Sequence, residues 1–522
     1  MMTTHFFSGS AAAAAISVVL LTVDVSAVEA QMLGSPDVEA AARTISQADF
    51  AWRIGVIAHD SMGGRDTPSP GLEMTAEWAA SEFRRMGLRG GMPDGSFIQR
   101  YPLRSVEVDV DRSSVVSGGE RLRYGQDVLP LFGMAEGEAG ADLVVVSGSG
   151  NLSRAQRRQI DGRHVAVVLP RDVAGVDRQM FGFLNALRQA GAASVLVTNS
   201  SDDDQWAANA LRSLSPSVSK GWGSGEGQGD TSSFTPMLQI RTSALARIVS
   251  GLDIDLEALA GRAGRDVEVL DTGELLMTIV QRTRVVEVAA PNVVAILDGS
   301  DPELRDEYVV YSGHMDHVGI GAPDANGDSI FNGADDDASG TTAVIEVAEA
   351  MATLSTPPKR SMLFLLVSGE EKGLWGSEWF AENSTVPVES MVANLNTDMV
   401  GRNWPDTIVA IGKEHSDLGE TLNSVNEAHP ELRMTAIDDL WPEERFYFRS
   451  DHFNFARKGV PVLFFFNGTH ADYHGRDDEP DRIDTEKAAR IGRLVFYLGL
   501  EIGNRTERPQ WNPESYARIV SE

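Results

Sequence analysis

"SMLFLLVSGEEKG", residues 361–373, opens with an apolar run that does not alternate with polar residues. A strand reads this way when both faces of its sheet are covered, as in parallel sheets flanked by helices. The run stops at Gly369, two glutamates follow at once, and a helical pattern begins near residue 374. Further stretches on either side share the character: "NVVAILDG" (292–299), "YVVYSGH" (308–314), "MVANLNTD" (391–398), "TIVAIG" (407–412) and "PVLFFFNG" (461–468). Between them lie helical patterns at about 338–354, 374–382, 416–428 and 451–457, with a last one at 484–503. The expected fold is α/β, a mostly parallel central sheet with helices on both faces.

Upstream, residues 35–60 and 72–88 read as helices, and strand-like stretches run from Gln99 to about Val116. From 128 to 270 the pattern changes to short runs such as "DLVVVSG" (142–148), "HVAVVLP" (164–170) and "ASVLVTN" (193–199), with one helix at 179–192. The polar stretch 201–233 reads as loop. The expected organisation is a main domain in two parts, 35–127 and 271–505, around a small inserted α/β module at 128–270, with a tail at 506–522.

Ligands of open α/β sheets bind beyond the carboxyl ends of the strands, so the residues there matter most. His314 and Asp316 follow one strand, Glu370 and Glu371 another, Asp398 ends a third, and Tyr473 and His474 come after a fourth. The fifth contribution is "FNGADDDASG" (331–340), which sets Asp335, Asp336 and Asp337 side by side before a helix. No Lys or Arg lies within ten residues of that triplet on either side. Two carboxylates about 4 Å apart repel by roughly 4 kcal/mol at an effective dielectric near 20. A buried triplet therefore needs a cation.

Each piece alone has an ordinary explanation. Acidic residues before a helix serve as caps or complement its dipole, and a lone histidine at a strand end is commonly a satisfied hydrogen bonder. Five segments converging on one rim favour a metal centre. Three ligating carboxylates and one hydroxide balance two Zn²⁺. Glu370 is then left over as the general base, and Asp316 is placed to orient the imidazole of His314. The rival reading of "DANGDSIFNGAD" (324–335) as a calcium loop fails on Ser329 where glycine is needed and Asp335 where glutamate is usual. The chain contains no G-x-S-x-G, H-E-x-x-H or G-x-x-x-x-G-K-[ST] pattern.

The 522 residues include no cysteine, which excludes disulfides, thiol nucleophiles and thiolate metal sites. A formal charge of −31 argues against nucleic acid and anionic membranes as partners. "SAAAAAISVVLLT" (10–22) has the length of a signal-peptide core, with "VSA" (25–27) and "VEA" (28–30) as cleavage sites. A leader at 1–30 and an exported mature protein are expected.

The ordered set "SGHMDH", "NGADDDASG", "SGEEKGLWGS", "NTDMVGR" and "ADYHGRDDEPDRID" resembles the co-catalytic two-zinc exopeptidases of metallopeptidase family twenty-eight. The inserted module is similar to a protease-associated (PA) domain through "RQAGAASVLVTN" and "TPMLQI". The resemblance implies a zinc aminopeptidase-like fold and two Zn²⁺ per subunit. His314 and Asp398 would hold one ion and Glu371 and His474 the other. Asp336 would bridge, with Asp335 the neighbour in closest register and Asp337 following across a bond that is often cis in the family. Glu370 would be the general base and Tyr473 an oxyanion donor. The implied activity is aminopeptidase action on peptides. Carboxypeptidase or N-acyl-peptide hydrolysis on the same site is the alternative, and a non-catalytic receptor-like protein would be expected to lack ligands that are all present here.

Overall fold

The computed structural model describes residues 1, 35–132, 136–170, 178–223, 235–262, 264 and 266–520. The expected leader at 1–30 falls, Met1 apart, outside them. No helix among the described residues is long and apolar enough to cross a membrane.

The chain folds as α/β around a ten-stranded sheet. At its centre Ser361–Val367, Tyr308–His314, Met391–Thr397 and Val462–Phe466 run parallel, in that spatial order. On one side Thr283–Leu297, Ile98–Val108 and Ser217–Lys220 follow, each antiparallel to the last; on the other Thr407–Ile411 is antiparallel to its neighbour and Thr435–Ile437 pairs parallel with it at the edge. Parallel order is thus confined to the strands joined through covering helices. The unbroken apolar runs have the predicted cause. Met362, Phe364 and Leu366 pack into the core on one face, and Leu363, Leu365 and Val367 into the core on the other. The first core is closed by Gln47–Ile57, Pro70–Arg85, Gly340–Thr353 and Thr485–Asn504, the second by Trp375–Glu382 and His452–Ala456.

The inserted segment builds a second, eight-stranded sheet. It reaches beyond the expected 128–270, taking in Ser114–Ser117 and Glu120–Arg123 before and all of Glu268–Gln281 after. These short or mixed strands lack the apolar run that marks the others, so pattern alone placed the limits too narrowly. The expected loop at 201–233 also needs correction, because Asp203–Ser213 is a helix and Ser217–Lys220 a strand. Asp202 caps that helix by accepting from the Gln205 N–H, and Trp206 is buried with its indole N–H donating to the Gly125 carbonyl. The Gly/Ser-rich sequence that follows masked these cues. The single helix expected at 35–60 divides at Ser46, which caps Gln47–Ile57. The tail carries a helix, Pro513–Ile519, with Ile519 buried.

Candidate active site

The parallel register brings the strand ends level: His314 pairs with Val367, and Ser312 with Asn396. Residues just past the ends therefore meet above the sheet. His314 Nε2 lies 3.4 Å from Asp336 Oδ1 and 3.7 Å from Asp398 Oδ1. His474 Nε2 lies 3.1 Å from Asp336 Oδ2 and 3.2 Å from Glu371 Oε2. The two oxygens of Asp336 thus face two different groups of donors. One comprises His314, Asp336 and Asp398, the other His317, Asp336, Glu371 and His474. All five residues expected as ligands are in these groups, and Asp336 is the aspartate common to both.

The other two aspartates of the triplet brace the turn. Asp337 accepts from the N–H groups of Gly340, Met399 and His314, and the Asp336–Asp337 peptide is cis. Asp335 accepts from the Gly401 N–H and the Ser339 hydroxyl. Asp478 in turn accepts from the N–H groups of Asp335 and Asp336. Gly340 has no room for a side chain, since a Cβ there would stand 2.2 Å from the Thr397 carbonyl oxygen.

Asp316 has a broader task than the one read from its spacing. Its main-chain carbonyl, 3.1 Å from His314 Nδ1, is the nearer partner of the imidazole, while its carboxylate stands 3.7 Å away. That carboxylate accepts from the Thr67 hydroxyl at 3.0 Å and from the Glu370 N–H at 3.3 Å. It therefore holds the turn that carries Glu370. Asp398 accepts from the Ser450 hydroxyl at 2.9 Å.

Glu370 belongs to neither donor group. It lines a cleft of about 50 Å³ with His314, Asp336, Asp398 and Tyr473. Desolvation, reinforced by Asp451, Asp398 and Glu371, pushes its carboxyl well above the usual range. Tyr473 is stacked on His474 with ring centroids 4.0 Å apart, and burial raises its phenol so that it keeps its proton. Burial disfavours a charged His474, yet Asp336 and Glu371 outweigh it and raise the imidazole to about 10. His314 is raised too, because Asp337, Asp316, Asp336 and Asp398 overcome desolvation. Asp451, buried nearby, is pushed up to about 7, mainly by desolvation.

Sequence reasoning passed over Arg65 and His317. Arg65 is fully buried beneath the site. It donates to the carbonyls of Met315, Ile57, Asn332 and Gly333 at 2.6–2.9 Å. It is a cation near the acidic turn, drawn from a distant segment that no local pattern connects to it. His317 stood inside the quoted "SGHMDH", and its three-residue offset from His314 was the available cue.

Arg65 and Lys487, the latter buried near Asp335, do not balance this many carboxylates. His317 Nδ1 and Nε2, Asp336 Oδ2 and Glu371 Oε1 are buried without hydrogen-bond partners, an expensive arrangement unless something else engages them. His317, Asp336, Glu371 and His474 each offer one nitrogen or oxygen donor within 4.8 Å of the others, the chemistry zinc accepts. The residues fit divalent metal. The rival stretch at 324–328 instead closes on itself, with Asp324 accepting from the N–H groups of Asn326 and Asp328.

Known proteins share stretches of this sequence. A probable zinc metalloprotease from Pyrenophora tritici-repentis is 37% identical over 253 residues, 42% of this chain and 49% of the relative. One from Pyricularia oryzae is 34% identical over 151 residues, 28% of each chain. The chain thus spans about half or less of the length of these curated relatives. Among solved structures, the chain is similar to a zinc aminopeptidase from Bacillus subtilis, with 16% identity, 89% of this chain and 96% of that one covered and a TM-score of 0.49. It is also similar to an aminopeptidase from Aneurinibacillus sp. strain AM-1, with 17% identity, 90% and 96% coverage and a TM-score of 0.48. The model of Peptidase family M28 matches residues 292–499, the span that carries all five expected metal ligands together with Asp316, Glu370 and Tyr473. Residues 292–499 are a Peptidase family M28 domain.

Proposed function

We propose that the protein is an exported zinc-dependent exopeptidase, an aminopeptidase that releases N-terminal residues from peptides. The observation that carries this reading is the sharing of Asp336 between two donor groups beside an uncommitted Glu370. His314 and Asp398 would hold one zinc ion, Glu371 and His474 a second, with Asp336 between them. When bound, such a pair supplies Lewis acidity that lowers the pKa of water and polarises a carbonyl.

The chain's own residues do the rest. Glu370 takes a proton from the attacking water and returns it to the departing amine. A carboxyl with a raised affinity for protons suits that return step. Tyr473, which stays protonated, donates a hydrogen bond to the developing oxyanion. Asp316 fixes the Glu370 turn and Ser450 fixes Asp398, so acceptor and ligand are pre-positioned. The net charge of −31 supports peptide rather than nucleic-acid substrates. The second sheet would be a PA-like module screening access, and the leader at 1–30 would direct export. N-terminal sequencing of the exported protein should then begin just after residue 27 or 30.

The deciding experiment is a mass-spectrometric time course on mixed peptides, half with free and half with acetylated amino termini, with and without chelator. Stepwise loss of N-terminal residues from the free peptides only, abolished by chelator, is expected. Cleavage from the carboxyl end would move the activity to the carboxypeptidase branch. No cleavage by a protein shown to hold metal would refute the catalytic reading.

A further inference from the structure

His317 is completely buried, and neither ring nitrogen has a hydrogen-bond partner. His452 and His470 share those unpartnered nitrogens, so this property alone does not mark a ligand. What distinguishes His317 is its aim. Its Nδ1 lies 2.9 Å from Glu371 Oε1 and 3.7 Å from Asp336 Oδ2, without hydrogen-bonding geometry to either. Its ring meets that of His474 edge-on at 5.5 Å. His474 approaches this group from the exposed rim and His317 from the buried interior.

The backbone makes room for that approach. Gly333 has a φ of 56°, and a Cβ there would lie 2.5–2.6 Å from atoms of the His317 ring. The His317 N–H donates to the carbonyl of Arg65 at 3.3 Å, which anchors the main chain on which the ring sits.

We propose that His317 directly ligates, through Nδ1, the ion held by Asp336, Glu371 and His474. This rests on the dinuclear reading above and adds to it an inequality between the two sites. The His317 site has four protein donors, the number that closes a tetrahedral zinc site. The site of His314, Asp336 and Asp398 has three, which leaves a position for water or substrate. The four-donor ion is the retained one and the three-donor ion the exchangeable one.

The test is zinc retention by the full-length protein, loaded with two equivalents and dialysed against a graded series of chelator-buffered free zinc. Metal is counted by mass spectrometry. The wild type should lose its ions in two steps, separated by at least about tenfold in free zinc. His317→Gln and His317→Asn, checked for folding by circular dichroism, should weaken the tighter step by more than about 100-fold, beyond the 10- to 100-fold cost of losing a residue that only orients a ligand, and a loss within that lower range would overturn direct ligation. Retention unchanged in both variants would overturn the proposal. Should neither variant fold, X-ray absorption on the wild type with one equivalent of zinc decides: two imidazoles per ion support the assignment and one overturns it. A wild-type chain that takes up no metal would overturn the dinuclear reading and this inference together. A chain holding two ions with one imidazole each would overturn this inference alone.

Discussion

Arg65→Lys tests whether the site is built from below. The guanidinium makes four hydrogen bonds to main-chain carbonyls, from Nε to Met315, from one terminal nitrogen to Ile57 and Asn332, and from the other to Gly333. A lysine keeps the charge but places all its donors on one atom, so it can satisfy roughly two of the four acceptors. Each buried carbonyl left unpaired costs about 1–3 kcal/mol, which makes the expected loss about 4 kcal/mol. That is a large fraction of a typical folding free energy of roughly 5–15 kcal/mol. The loss should also reach the metals, because Met315 lies between His314 and Asp316, and Asn332 and Gly333 lead into the turn of Asp336. Zinc affinity is expected to fall about tenfold or more, as when the groups that orient metal ligands are removed. The assay is urea unfolding followed by tryptophan fluorescence, with and without zinc, beside a zinc titration. A midpoint and slope equal to the wild type's, together with unchanged zinc binding, would show that the four carbonyls need no clamp and would refute the reasoning.

Glu370→Gln should keep the full metal content and lower kcat by about 10²- to 10⁴-fold; loss of metal in this variant would mean that Glu370 and Glu371 exchange roles. Tyr473→Phe should lower kcat by about 10²-fold with little change in KM, as removal of an oxyanion donor does, and a change in KM alone would assign the hydroxyl to substrate binding. His474, raised to about 10, and His314, raised as well, are protonated near pH 7 in the chelator-stripped protein. Zinc must displace those protons, so affinity rises with pH up to about 10, and at limiting free zinc activity should fall steadily as the pH is lowered from there. Calorimetry in buffers of differing ionisation heat should register at least two protons released on loading both ions at pH 7, and release of none would contradict the assignment.

The strands were legible because burial on both faces writes an unbroken apolar run, as at 361–367. The five expected ligands were legible because each follows such a strand or precedes a helix in the same local order. Arg65 was not, since its partners at Met315 and Gly333 lie 250 and 268 residues away and nothing near it in sequence marks a buried cation. Asp316 was read for its carboxylate, whereas the nearer partner of the imidazole is its main-chain oxygen, an atom every residue has. The helix at Asp203–Ser213 was lost because glycine and serine just downstream diluted a short amphipathic pattern.

The strand Ser217–Lys220 leaves the second sheet's own run of chain, pairs with Ile98–Val108 on the edge of the large sheet, and gives way to a return to the second sheet at Met237–Arg241. Lys220 pairs with Glu378, and Trp222 packs against Tyr101 and Trp379. The inserted segment is thus stitched to its host as well as spliced into it. Val108 and Thr283 are already strand partners, so a tight turn joining them would be an easy excision to draw. Such a deletion would strip the selvedge from the catalytic sheet, leaving Leu103–Val106 without its neighbour and a row of bare peptide groups open to pairing with other chains. A trimmed version of this protein is best designed to keep residues 217–222, and one that omits them should be watched first for aggregation.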